Sequence, residues 1–61
     1  MADYEYAFKV KFYDASGGFI TSDRIVVMAG NISDAEMKVE IEAEDYMLEY
    51  DAESFTFKVV D

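Results

Sequence analysis

Between Tyr4 and Phe12 an apolar side chain occupies every even position, Tyr4, Tyr6, Phe8, Val10 and Phe12, while Glu5, Lys9 and Lys11 fall between them. Successive strand residues point to opposite faces, so this period of two marks a strand with one buried and one wet face. Asp14, Ala15, Ser16, Gly17 and Gly18 follow. These are turn formers, and adjacent glycines supply the positive φ that a tight reversal needs, so a hairpin is expected. The return run from Phe19 to Ala29 holds the β-branched residues Ile20, Thr21, Ile25, Val26 and Val27. Its alternation weakens at Asp23 and Arg24, where a bulge is expected.

Gly30 and Asn31 end that run, and Ser33, Asp34, Ala35 and Glu36 spell a capping box, with Ile32 and Met37 at the spacing of a hydrophobic staple. Met37, Val39, Ile41 and Ala43 alternate with charged residues in a strand-like manner. The cap, the staple and the helix-favouring Ala, Met, Glu and Leu outweigh that alternation and predict a helix from about Asp34 to Glu49. Tyr46 to Ser54 fits either an extension of the helix or a loop. Phe55, Phe57 and Val59 then alternate with Thr56, Lys58 and Val60 in a short last strand.

The expected fold is α+β, of order β-β-α-β: a three-stranded antiparallel sheet in the order 2-1-3, with one helix packed on one face and a single domain over residues 1–61. At 61 residues, folding buries only about 60% of the unfolded surface, so stability is marginal or helped by a partner. Apolar residues at 52% and aromatics at 16% supply enough to bury that the acidic composition does not mean disorder.

There is no Cys and no His, which removes disulfides, thiolate sites and the commonest general base and metal ligand. Carboxylate pairs such as Glu40 and Glu44 fall on a regular helix surface with no pocket expected, so the chain reads as a non-enzyme. Asp45, Glu49, Asp51 and Glu53 crowd near the helix end without the alternation or central Gly of a calcium loop. No cofactor or metal is implied. No stretch approaches a membrane span, and Met1 to Glu5 lacks the basic and apolar regions of an export signal, so the expected compartment is a cytoplasm.

Charge carries the functional reading. Fourteen acids stand against five bases, a net charge of −9, which repels nucleic acid and anionic membrane and favours a basic partner. Nine of the acids and only Lys38 fall between Asp34 and Glu53. Lys9, Lys11 and Lys58 fall on the first and third strands, so an acidic helical side and a weakly basic sheet side are expected. On a helix, Ala35, Val39, Ala43, Tyr46 and Tyr50 form one apolar stripe, while Met37, Ile41 and Leu48 form a second on nearly the opposite side. One helix on a small sheet buries only one such stripe. The other meets a second copy, a partner groove or water, unless the last turn unwinds near Asp45 and the stripes merge. On the sheet, Tyr13, Val27 and Val60 are expected to leave a partly apolar face uncovered.

In size, charge and element order the chain resembles the small early proteins by which bacteriophages disable host machinery. These include the acidic inhibitors of uracil-DNA glycosylase, some of them dimers of a three-stranded sheet and one helix, and the small phage inhibitor of host RNA polymerase. The likeness is greatest from Ile25 to Ala43, a strand running into a capped acidic helix, and it carries over no individual inhibitory residue. It implies a DNA mimic acting in a host cytoplasm, whose carboxylates occupy the Lys and Arg side chains of a basic host protein. The contributing charges would be Glu36, Glu40, Glu42, Glu44, Asp45, Glu49, Asp51 and Glu53, with Met37, Ile41 and Leu48 as an apolar anchor or homodimer seam. The alternative is a structural or accessory protein that self-assembles through that stripe and the sheet edges, with charge serving solubility.

Overall fold

A computed structural model describes residues 3–60. Strands β1 (Tyr4–Tyr13) and β2 (Phe19–Ala29) form the hairpin, helix α1 (Ile32–Tyr50) follows, and β3 (Ser54–Val59) completes an antiparallel sheet in the order β2-β1-β3. β1 lies in the centre, paired with β2 on one edge and β3 on the other, and its alternation gives it one buried and one open face. Phe8, Val10 and Phe12 are fully buried, while Lys9 and Lys11 are exposed on the opposite face.

The hairpin turn is closed by one side chain. The Asp14 carboxylate accepts from the Ser16 N–H at 2.9 Å, the Ser16 hydroxyl at 2.7 Å and the Gly18 N–H at 2.8 Å. The Ser16 hydroxyl first, then the backbone donors, hold the Asp14 carboxyl below its ordinary value, because each bond favours the charged form. Of the two turn glycines only Gly17 takes positive φ, at 86°. Gly18 is needed for a different reason: a Cβ there would lie 2.9 Å from Asp14 Oδ2.

The bulge expected at Asp23 and Arg24 lies instead at the turn end of the hairpin. Tyr13 pairs with Phe19 but Phe12 pairs with Thr21, so Ile20 is the extra residue, and the register is then unbroken to Tyr4 and Ala29. Sheet side chains have a period of two, so one inserted residue exchanges the faces of everything beyond it. Ile25, Val27 and Ala29 therefore lie inward opposite Phe8, Tyr6 and Tyr4. Val27, expected on the open face, is buried, and Val26 and Met28 are exposed in its place.

The helix begins earlier than the capping box predicts. Asn31 is the N-cap, with extended backbone (φ −158°, ψ 171°), and its side-chain oxygen accepts from the Asp34 N–H at 2.9 Å. Asn caps at least as well as Ser, and capping from 31 brings two more residues into the helix. Ser33 and Glu36 then fall inside the first turns, and the staple pair Ile32 and Met37 is solvent-exposed. Nor does the last turn unwind near Asp45. The helix runs to Tyr50 and ends at Asp51 in the left-handed region (φ 57°, ψ 39°), and the Ala52 N–H closes on the Met47 carbonyl at 2.8 Å. The Glu53 N–H donates to the Tyr13 carbonyl at 2.9 Å and leads the chain into β3.

Ala35, Val39 and Ala43 form the buried helix face. Their small size lets the helix approach Phe8, Val10, Phe12, Ile25, Val27 and Ala29 closely, and Tyr6, Met47, Tyr50, Phe55 and Phe57 close the margins of this core. The Tyr50 hydroxyl donates to Asp23 Oδ2, tying the last helical turn to β2. The result is a two-layer slab with principal extents of 42 × 18 × 15 Å, which leaves the second sheet face without a covering layer.

Candidate functional site

The buried stripe Ala35, Val39 and Ala43 fixes the rotation of the helix and so the direction of every carboxylate on it. Glu36, Glu40 and Glu44, four residues apart, form one exposed ridge along a flank of the helix. Glu42, Asp45 and Glu49 form an exposed ridge along the other flank. Within a ridge the charges stand three or four residues apart, about 5–6 Å along the axis, wider than the about 3.4 Å between phosphates of one DNA strand, and the six together span about 20 Å. The ridges stand about one helix diameter apart, about 10–12 Å, the scale of a DNA major groove. Asp51 and Glu53 do not join them; they lie exposed in the cap and turn after the helix.

Local energetics work against this arrangement. Like charges four residues apart on a helix destabilise it by about 0.2–0.5 kcal/mol per pair, and Glu36–Glu40, Glu40–Glu44 and Asp45–Glu49 are three such pairs. Glu49 and Asp51 lie at the negative end of the helix dipole, where the last turn holds no base. Solubility alone needs neither.

Between the ridges runs the second apolar stripe. Met37, Ile41 and Leu48 are 61%, 64% and 85% exposed, so the helix does present two apolar faces and buries one. Ile41 borders an open groove with Val26, Met28 and Lys38, and the Lys38 ammonium donates to the Met28 carbonyl at 2.5 Å. The groove follows the edge of β2; the Val26 and Met28 side chains themselves alternate with the buried Ile25, Val27 and Ala29 and so belong to the sheet face away from the helix, where the register bulge turns them.

The opposite sheet face is basic. Arg24 pairs with Lys9 and Lys9 pairs with Lys58, which makes a row of three cations across the three strands, and Lys11 lies beside it, two residues along β1. Four of the five bases in the chain thus share one exposed face. Arg24 was absent from the expected basic side for the same reason of register.

Among the described residues no group of three acidic side chains is placed to hold a metal ion, and no helix is long and apolar enough to cross a membrane. Compared with protein-family models, with curated proteins and with solved structures, the chain finds no match in any of the three.

Proposed function

We propose that the protein is a non-enzymatic acidic binding protein, an inhibitor of the phage type, that uses its carboxylate-rich helix as a DNA mimic to occupy the basic surface of a host DNA-binding protein. The observation that carries this reading is the pair of exposed carboxylate ridges flanking one rigid helix at about the width of a DNA major groove, held there against like-charge repulsion along the helix. Lys and Arg side chains that bind phosphate also bind carboxylate through charge-assisted hydrogen bonds, so the mimic needs no chemistry of its own. The resemblance in size, charge and element order to phage early inhibitors supports the same class, with action in the host cytoplasm. The test is competition: the chain should displace labelled duplex DNA from its target with strong salt dependence, and Glu40→Lys with Glu44→Lys should abolish displacement. Unchanged displacement by that variant would sink the reading.

A second reading is favoured by the exposure of Met37, Ile41 and Leu48: a structural or accessory protein that self-associates through this stripe. It requires a salt-resistant assembly that is lost on Ile41→Glu.

A further inference from the structure

Cations directly opposite one another on neighbouring strands destabilise a sheet. A chain with five bases and fourteen acids nevertheless aligns Arg24, Lys9 and Lys58 in one row, with Lys11 adjacent, and leaves all four exposed. An anion lying across the row would remove that repulsion. The face is not uniformly basic. Val26 and Met28 are 41% and 49% exposed toward one end, and Val60 is 37% exposed beside them. At the turn end Phe19 packs edge-on against Tyr13 at 6.1 Å and is itself 59% exposed. Its occupant therefore needs carboxylates or phosphates in the middle and apolar groups as well.

The outer surface of α1 has that composition. Met37, Ile41 and Leu48 form its apolar line, and Glu40, Glu44 and Asp45 flank them. The dimensions also match. A 19-residue helix is about 28 Å long and 10–12 Å wide; the β1–β2 hairpin offers a length of about 33 Å, and β3 widens it to three strands, about 10–14 Å, over the six residues, about 20 Å, that hold the cation row. α1 already covers the other face of this same sheet. A nucleic acid matches less well, because the net charge of −9 opposes the approach of a continuous run of phosphates.

We infer that the open sheet face is a docking surface for a second copy of this chain, which lays the outer face of its helix across the row Arg24–Lys9–Lys58 in a head-to-tail contact. The two surfaces are different patches of one molecule, so the contact is heterologous and each added copy leaves another sheet face free. It uses the helix face proposed above for a foreign basic partner, so one helix serves one or the other, and partner binding disperses the assembly. Salt acts in two directions. At very low salt the net charges of whole molecules repel, while at about 0.15 M a Debye length of about 8 Å screens them and spares contacting pairs; at about 1 M the pairs are screened too. Association is therefore strongest at intermediate salt.

The test is sedimentation velocity of the purified chain from about 10 µM to about 1 mM, concentrations that bracket a weak self-association. The expected result is a mass that climbs past a dimer at about 0.15 M salt and returns to the 7.0 kDa monomer at about 1 M. Lys9→Glu with Lys58→Glu, and separately Glu40→Lys with Glu44→Lys, should each reduce association at least tenfold. An equimolar mixture of the two variants should restore one contact and form a 1:1 heterodimer, because the intact helix of the first docks on the intact sheet face of the second. Should either double variant lose its cooperative melt, Arg24→Gln and the salt profile of the unmodified chain decide. A dimer that resists 1 M salt, or a monomer that instead binds a single-stranded oligonucleotide through Lys9 and Lys58, would overturn the inference. Because no foreign partner is present, a strict monomer would leave the inhibitor reading standing.

Discussion

Replacing Phe12 with Ala removes the side chain on which the distal half of the core converges. Phe12 is fully buried, with its ring centroid 5.2 Å from Tyr50 in an edge-on contact and 6.4 Å from both Tyr46 and Phe55. Truncating a buried Phe to Ala costs about 3–5 kcal/mol, the upper part of that range applying where aromatic contacts are lost as well. At about 0.05–0.15 kcal/mol per residue, a domain of this length has only about 3–9 kcal/mol in total. With a urea slope of about 1 kcal/mol per molar, the midpoint should fall by about 3 M, or no folded baseline should remain. Leu48→Ala is the control. Leu48 is equally apolar but 85% exposed, and its truncation should move stability by no more than about 0.5 kcal/mol. Urea denaturation followed by far-UV circular dichroism at low protein concentration measures both. A Phe12→Ala midpoint within 1 M of the unmodified chain, or a Leu48→Ala loss of comparable size, would refute the assignment of which helix stripe faces the sheet.

Asn31→Ala should destabilise the chain by about 1 kcal/mol, a drop of about 4–8 °C in Tm, while Ser33→Ala should leave Tm nearly unchanged; scanning calorimetry distinguishes the two caps. Glu40→Gln relieves repulsion with both Glu36 and Glu44 and should stabilise by about 0.4–1 kcal/mol while weakening partner binding, so Tm and affinity should move in opposite senses. The hydrogen bond to Asp23, with desolvation and the charges of Asp23 and Glu49 behind it, pushes the Tyr50 hydroxyl up to about 12. A raised folded value means that the stabilisation is complete below about 10 and is lost as pH rises through about 12. Ultraviolet titration should therefore show a tyrosine ionising near 12 that vanishes in Tyr50→Phe. Asp14 behaves oppositely. Its lowered value means that the turn is stabilised at pH above the ordinary carboxylate value and that this stabilisation is lost as pH falls below it, so Asp14→Asn should reduce the acid sensitivity of the melt.

Local, periodic signals were the legible ones. The alternation in β1, the turn residues Asp14 to Gly18, the buried stripe Ala35–Val39–Ala43 and the exposed stripe Met37–Ile41–Leu48 each follow from spacing along one element, and all are present. The misses arise where two local solutions compete. Asn31 and Ser33 are both good caps, and two additional helical residues favour the earlier one. The position of the bulge depends on which register buries Ile25, Val27 and Ala29 rather than Arg24, Val26 and Met28, and that choice involves the whole sheet rather than the residues at the bulge. The candidate site inherits the same division. Its carboxylate ridges are helix periodicity and were legible, whereas the cation row is cross-strand pairing, to which a misplaced bulge is blind.

The central claim is that the carboxylate ridges of α1 bind a basic protein where DNA would otherwise lie. Its most direct test is affinity capture from bacterial lysate on the immobilised chain beside the Glu40→Lys, Glu44→Lys variant, with elution first by duplex DNA and then by a salt gradient. The account predicts a basic DNA-binding protein that the unmodified chain retains, duplex DNA releases and the variant fails to hold. Equal retention by both chains, or a retained protein that DNA does not displace, would contradict it.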